Sequence, residues 1–328
     1  MKYKQLGNSG IKVAELCLGT MTFGREADAR TAQAITSQYL EAGGNFIDTA
    51  DVYGAGPGDA EILVGTILKG KRSDLILASK TGFGSGLNRE GLSRRYLLRA
   101  VDASLGRLQT DWIDLFYLHI YDQSTPFEET LSALDTLVKC GKIRYIGVSN
   151  FKAWQIMKML WISDQRSLPR FVAYQPQYNL LEREIEREFV PICQTEGLAM
   201  VTWAPLAGGF LSGKYTADTT EGRLRKVGRP DTDSWDNRVN NFSSSILKAV
   251  EEIARKRKVP CAQVALNWLR SRPWVTCPIL GARTCDQYAE NVACLAWELD
   301  PVEVEALDTA SATPKPYPYH FVDWLHRR

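Results

Sequence analysis

Four residues have types and spacing suited to chemistry: Asp48, Tyr53, Lys80 and His119. Asp48 closes the apolar run Asn45-Phe46-Ile47, and Tyr53 follows on the next loop, just before Gly54. Lys80 closes Ile76-Leu77-Ala78-Ser79, and His119 closes Asp114-Leu115-Phe116-Tyr117-Leu118. A phenol has an ordinary pKa of about 10, too high for efficient proton exchange near neutral pH unless a cation lowers it. Lys80 would supply that cation, Asp48 would keep it protonated, and His119 would orient a carbonyl oxygen. Such a set reduces a carbonyl when a hydride donor lies on the other side. Each residue alone has a plainer reading: a cap for Asp48, a solvated Lys80, a core His119. Their occurrence together at three strand ends favours chemistry. A Schiff base on Lys80, as in a barrel aldolase or lyase, is the competing use of the same residues.

Those strand ends need a frame that gathers them. Residues 3–13 read as a hairpin turning at Gly7-Asn8-Ser9-Gly10, suited to capping one end of a barrel. Residues 13–18 read as the first core strand, 19–24 as a loop and 28–42 as a helix ended by Gly43-Gly44. The unit then repeats: strand 45–48 with helix 59–69, strand 75–79 with helix 93–107, strand 112–118 with helix 126–140. It continues through strand 143–148 with helix 151–161, strand 171–175 with helix 183–196, strand 198–203, and strand 275–279 with helix 285–294. Eight such alternations of short apolar strands predict a (β/α)8 TIM barrel with an N-terminal hairpin cap, and two extra helices near 243–257 and 260–271. In a barrel, functional residues lie at the carboxyl ends of strands, where Asp48, Lys80 and His119 all fall. A doubly wound open sheet is the runner-up, but its glycine-rich fingerprint is missing from the first units. No linker divides residues 1–328, so a single domain is expected. The polar stretch 216–241 reads as a lid or binding loop, and the proline-rich tail 313–320 as a non-helical segment crossing the barrel mouth.

Composition narrows the partners. A net charge of +2 over 328 residues, without long runs of one sign, argues against nucleic acid or an anionic membrane. The basic run Arg255-Lys256-Arg257-Lys258 ends a helix and reads as a solvated terminus suited to the dipole. No apolar run approaches the roughly 20 residues of a membrane span, and the start lacks a signal-peptide core, so a cytoplasmic protein is expected. Seven scattered cysteines fit reduced thiols, and three histidines, two of them in the tail, offer no metal site.

The quoted contexts resemble the aldo-keto reductase family along essentially the whole chain. Its tetrad is matched by Asp48, Tyr53, Lys80 and His119 within Asp48-Thr49-Ala50-Asp51-Val52-Tyr53-Gly54, Ser79-Lys80-Thr81 and Leu118-His119-Ile120-Tyr121-Asp122. Further matches are Gly147-Val148-Ser149-Asn150-Phe151, Gln175-Pro176-Gln177-Tyr178-Asn179, Trp203-Ala204-Pro205-Leu206-Ala207-Gly208-Gly209, and Gly281-Ala282-Arg283 with Gln287 and Asn291. The resemblance implies an oxidoreductase that reduces an aldehyde or ketone with NADPH, NADH being the lesser partner, and with Tyr53 as proton donor. It implies that Ser149, Asn150 and Gln175 bind the carboxamide and that Trp203 with Ala204 lines the nicotinamide. It further implies that Gly19, Thr20 and Met21 lie near the reacting centre and that amides of Leu206 to Gly208 cradle the pyrophosphate. Gly281, Arg283, Gln287 and Asn291 would meet adenosine. Some relatives carry a lysine where this chain has Gly281, so the burden of a 2′-phosphate passes to Arg283, assisted by Lys214 and Arg223.

On the substrate side Phe23, Phe83 and Tyr121 suggest an aromatic-walled pocket for a small carbonyl compound. The branch resembled also includes potassium-channel β subunits, which keep cofactor and tetrad yet serve mainly as partner proteins. That is the alternative function. A monomer or a homo-oligomer fits either reading.

Overall fold

The computed structural model describes residues 1–214 and 240–326. Its strands are β1 (Tyr3–Gln5), β2 (Lys12–Ala14), β3 (Cys17–Gly19), β4 (Phe46–Asp48), β5 (Ile76–Thr81), β6 (Ile113–Leu118), β7 (Ile143–Ser149), β8 (Phe171–Gln175), β9 (Ala199–Thr202) and β10 (Val275–Leu280). Its helices are α1 (Ala29–Glu41), α2 (Asp59–Ile67), α3 (Arg94–Leu108), α4 (Phe127–Lys139), α5 (Ala153–Arg166), α6 (Ile185–Glu196), α7 (Asn241–Arg257), α8 (Cys261–Arg270), α9 (Cys285–Val292), α10 (Pro301–Ala310) and α11 (Tyr319–His326).

Eight parallel strands close in the order β10-β3-β4-β5-β6-β7-β8-β9, which makes the (β/α)8 barrel expected from the alternation. Being parallel and covered on the outside by helices, the strands are apolar on both faces: every residue of β3, β4, β6, β8 and β9 is buried. The interior is filled by Cys17, Phe46, Ala78, Leu115, Tyr117, Ala173, Val201 and Cys277. Gly147 is required there, because a Cβ at that position would stand 2.6 Å from the Tyr117 ring. Helix starts follow their caps: Asp28 accepts from the Thr31 amide at 2.7 Å and Ser93 from the Tyr96 amide at 3.3 Å.

The hairpin forms as expected, β1 pairing antiparallel with β2, and it plugs the amino end of the barrel with Leu6 and Val13. One boundary differs from the sequence reading. Residues 13–18 are not one strand: Val13 and Ala14 stay in the hairpin, and the barrel strand begins at Cys17. Glu15 causes the break, since its amide donates to the Lys2 carbonyl and its carboxylate accepts from the Lys2 amide, both at 2.9 Å.

The chain forms two compact units, interleaved in sequence. The first holds Met1–Gln177, Ile192–Trp203 and Pro273–Val292, hence the whole barrel. The second holds Tyr178–Pro191, Ala204–Arg272 and Ala293–Arg328. Within the second, α7 and α8 are the two extra helices, and α10 and α11 are additional. In α10 the capping box of Asp300 and Glu303 with Pro301 between them sets the start. The basic end of α7 is paired as well as solvated, because Arg257 reaches Glu303 at 2.8 and 2.7 Å and Asp300 at 2.6 Å. The tail departs from the sequence reading at its end, where Tyr319 and His320 open α11. Its approach is tied to α6 through Arg187, which donates to the Pro314 carbonyl at 2.8 Å.

Candidate active site

Strand register brings the four residues of the tetrad to one end of the first unit. Gly19 pairs with Asp48, Asp48 with Ala78, Lys80 with Tyr117 and Leu118 with Val148, so three adjacent strands finish together. His119 continues the ladder by donating its amide to the Thr81 carbonyl at 2.8 Å. The loop after β4 turns back at once: the Tyr53 amide donates to Ala50 at 3.2 Å and the Tyr53 carbonyl accepts from the Ala60 amide at 3.1 Å. Gly54 permits the turn, with φ of 118° and no room for a Cβ, which would lie 2.5 Å from Asp59 Cβ.

Lys80 is the centre of the arrangement. Its Nζ donates to Asp48 Oδ1 at 2.5 Å, to the Thr49 carbonyl at 2.8 Å and to Tyr53 Oη at 3.2 Å, which uses all its protons. Asp48 Oδ2 accepts from Gln175 Nε2 at 2.8 Å, so both carboxylate oxygens are held. The Tyr53 and His119 rings meet edge to face at 5.9 Å, and Phe83 packs on His119 at 4.6 Å. Lys80 is fully buried; burial disfavours its cation, yet the Asp48 carboxylate and Tyr53 hold its pKa above the ordinary value.

The sequence reading had Lys80 lowering the phenol; the structure gives the opposite net result. Burial pushes Tyr53 above its ordinary pKa, the Lys80 charge only offsets part of that, and the Asp48 and Asp51 carboxylates add to the rise. Tyr53 therefore stays a protonated donor across neutral pH.

Next to the tetrad, Ser149 Oγ donates to the Gln175 carbonyl at 2.7 Å, and Asn150 Nδ2 to the His119 carbonyl at 2.9 Å. Asn150 is exposed and left-handed, with φ of 57°. Trp203 is half-buried; its amide donates to Pro176 at 2.9 Å, and its indole N–H is buried with no hydrogen-bond partner among the described residues. Thr20 is fully buried, with amide and hydroxyl both 3.0 Å from the Asp48 carbonyl, so it fixes the strand end. Gly19 is tight, a Cβ there meeting Ile279 at 2.6 Å, while Met21 is 48% exposed.

The adenosine candidates of the first unit lie on the loop after β10 and on α9. Gly281 is exposed and open, and Arg283 is exposed with no described residue pairing its guanidinium. Gln287 accepts from the Arg283 amide at 2.9 Å and thereby shapes that loop. Asn291 is buried, its Nδ2 lacking a hydrogen-bond partner among the described residues. In the second unit the backbone passes through left-handed values at Ala204, Ala207, Gly208 and Gly209, with Leu206 between them at φ −103°. Such alternation turns successive N–H groups to one side and suits an anion. Asn179 Nδ2 fixes it by donating to the Ala204 carbonyl at 2.9 Å, and Lys214 is exposed beyond it. Arg223 and most of the expected lid 216–241 lie outside the described residues.

Of the aromatic candidates, Phe83 stands against His119, and Tyr121 packs between Phe127 and Phe151, each ring 5.8 Å away. Phe23 corrects the sequence reading: it is fully buried and walls no pocket, because its loop turns the ring inward and leaves Met21 outside. Two acids were given no role in the sequence reading. Asp51 accepts from Thr81 Oγ1, and Glu61 is fully buried between Ser79 Oγ at 2.5 Å and Arg107 Nε at 2.7 Å. A charge on the apolar face of α2, beside Ala60, Val64 and Gly65, was the available signal for Glu61.

Polar atoms of Trp203 and Asn291 and an Arg283 guanidinium without partners among the described residues, with an open glycine at 281, fit a flat, phosphorylated ligand. A closed parallel barrel with an Asp, Lys, Tyr and His set at its carboxyl end agrees with the comparison of sequences: residues 15–312 match the aldo/keto reductase family. The chain belongs to that family.

Among relatives, it is 36% identical over 312 residues to an uncharacterized oxidoreductase, YrpG, of Bacillus subtilis, covering 92% of this chain and 93% of that one. It is 35% identical over 305 residues to a probable voltage-gated potassium channel subunit beta of Oryza sativa subsp. japonica, covering 90% and 91% of the two chains. It is 33% identical over 304 residues to L-glyceraldehyde 3-phosphate reductase of Escherichia coli K12, covering 90% and 88%. The family assignment makes this chain an oxidoreductase of carbonyl compounds. Among the described residues no helix is long and apolar enough to cross a membrane.

Proposed function

We propose that this chain reduces an aldehyde or ketone to the alcohol with NADPH, Tyr53 giving the proton. The observation that carries the reading is Lys80, buried and bonded at once to Asp48 and Tyr53. NADPH, when bound, supplies a hydride to the carbonyl carbon. Tyr53 Oη donates its proton to the carbonyl oxygen, and the O–H bond of Tyr53 breaks as that of the alcohol forms. The Lys80 cation, fixed by Asp48, stabilises the phenolate left behind until solvent reprotonates it. His119, wedged between Tyr53 and Phe83, orients the carbonyl oxygen. Trp203 would offer its half-exposed ring to the nicotinamide, with Ser149, Asn150 and Gln175 on the carboxamide. Arg283, exposed on the loop after β10, would take the 2′-phosphate. A reductase of this kind belongs in a reducing, NADPH-supplied compartment, and each of the seven cysteines is a free thiol.

The test is a panel of carbonyl substrates with NADPH and with NADH, together with Tyr53→Phe. Turnover with NADPH that Tyr53→Phe abolishes, at nearly unchanged NADPH affinity, supports the reading. Retained turnover in Tyr53→Phe sinks it. A second reading, a partner subunit with little turnover, is favoured by the 35% identity to the rice channel subunit. Tight NADPH binding without reduction of any carbonyl on the panel would select that one.

A further inference from the structure

Asp51 lies two residues before Tyr53, yet its contacts run to the strand that carries Lys80. Its amide donates to the Lys80 carbonyl at 3.1 Å, and its carboxylate accepts a short hydrogen bond from Thr81 Oγ1. The Tyr96 hydroxyl, on α3, stands 3.4 Å from that of Thr81. The loop holding the phenol and the strand end holding the ammonium are thus joined by one residue. The other carboxylate oxygen of Asp51 is buried and has no hydrogen-bond partner among the described residues.

The surroundings carry an odd number of charges. Asp48, Asp51 and Glu61 are carboxylates, at 2%, 9% and 0% exposure, while the cations beside them are Lys80 and Arg107. Asp48 is paired with Lys80 at 2.5 Å and Glu61 with Arg107 at 2.7 Å. Among the described residues, Asp51 is the acid left without a cation of its own. The groups facing it are Glu61 from α2, Tyr96 and Arg107 from α3, Lys80 from β5 and Tyr53 from its own loop.

We propose that Asp51 is a positioning residue for the reduction: it clamps the end of β5 to the Tyr53 loop, and its charge keeps the proton on Tyr53. The inference rests on the reading of Tyr53 as proton donor. Asp51 itself is pushed up to about 6, first by burial and then by Glu61, against the opposing Thr81 bond and the Arg107 and Lys80 charges. Below that pH the added proton sits on the oxygen that has no partner, and the neutral carboxyl grips Thr81 less strongly. Turnover falls with the clamp. Above that pH the carboxylate raises the pKa of Tyr53 and preserves the donor.

The experiment measures pH profiles of kcat and KM for Asp51→Asn, Thr81→Val and Thr81→Ser. Asp51→Asn retains an acceptor for Thr81 and loses the charge, so its acid inflection near pH 6 disappears and its alkaline limb moves to lower pH. Thr81→Val loses the clamp and keeps the charge; kcat falls at least about tenfold with little change in KM, and the alkaline limb stays. Thr81→Ser restores kcat. Separately, the ultraviolet phenolate signal of Tyr53, taken as the difference from Tyr53→Phe, is titrated without substrate or cofactor, and it moves to lower pH in Asp51→Asn. That titration reports the field of Asp51 even if the panel finds no turnover, which separates failure of this inference from failure of the reductase reading. An unmoved phenolate titration overturns the electrostatic role. Equal kcat in Thr81→Val and Thr81→Ser, or a loss confined to KM, overturns the clamp, and this pair decides the matter if Asp51→Asn does not fold.

Discussion

Replacing Lys80 by Met tests stability and chemistry at the same atom. The substitution removes the cation 2.5 Å from Asp48 Oδ1 and leaves a buried carboxylate with only Gln175, among the described residues, bonded to it. Breaking a buried pair by deleting one partner costs about 3 to 5 kcal/mol. Asp48 escapes part of that cost by taking up a proton, so its pKa rises and the deficit shrinks in acid. The sign follows from linkage: a carboxyl raised in the folded state binds more protons folded than unfolded, and stability falls as pH rises. Lys80→Met is therefore expected to be nearer the wild type at about pH 5 than at about pH 8. The double variant with Asp48→Asn should recover most of the loss, because no unpaired charge is left in place of the Asp48–Lys80 pair. Chemistry should not recover with it. The bond from Lys80 to Tyr53 Oη, 3.2 Å long, becomes charge-to-charge when the phenolate forms. A charge-assisted hydrogen bond contributes roughly 1.5 to 3 kcal/mol, and at about 1.4 kcal/mol per decade its loss lowers kcat by at least tenfold to a hundredfold. Thermal unfolding at two pH values and single-turnover reduction supply the readings. A single variant as stable as the wild type at both pH values, or a double variant that regains turnover, would refute this account of the pair.

Three other outcomes are expected. Trp203→Ala weakens NADPH binding by about 1 to 3 kcal/mol, the value of an aromatic stack; an unchanged dissociation constant and fluorescence response would make Trp203 a packing residue. Arg283→Ala weakens NADPH by about tenfold or more and NADH only slightly, since Gly281 beside it carries no charge; equal weakening of both would reduce Arg283 to stacking on adenine. Because Tyr53 is raised above its ordinary value, reduction should fall only as pH passes about 10, where phenols usually ionise, and alcohol oxidation should climb toward the same pH. A reductive kcat already halved by about pH 8 would show that Tyr53 is not the titrating donor.

The barrel and the tetrad were legible because both rest on local pattern. An apolar run that ends in a lone polar residue marks a strand and its carboxyl end, and adjacent strands in a barrel bring such ends together. Asp48, Lys80 and His119 needed nothing more. Orientation was not legible at Phe23, since a loop residue has no period to say which way its ring turns. Burial was not legible at Tyr53: the neighbouring cation could be read from spacing, but the desolvation that outweighs it is a property of the packed site. Glu61 is the middle case, a charge on a face whose neighbours were plainly apolar, and Asp51 was quoted within its motif while its link to Thr81 joins the loop after β4 to the end of β5. The start of α10 was written openly in Asp300-Pro301 with Glu303, a signal the strand-and-helix alternation passed over.

The barrel has a seam. Its first and last strands, β3 and β10, meet through two pairs, Cys17 with Ile279 and Leu18 with Leu280, as few as β3 with β4 or β8 with β9, whereas β6 and β7 share five. The hairpin adds a latch to it, Lys4 Nζ donating to the Val275 carbonyl of β10 at 2.8 Å. Both the seam and the latch join residues from opposite ends of the sequence, so they carry the largest loop-closure cost and form late in folding. During synthesis the circle cannot close until β10 has left the ribosome, and until then the apolar edge of β3 stays open to other chains. In the finished protein the amides of Cys17 to Gly19 are expected to exchange through partial opening ahead of those in β6 and β7. Asp48 sits on the strand next to that join, with Thr20 fastened to its carbonyl as the brace between them.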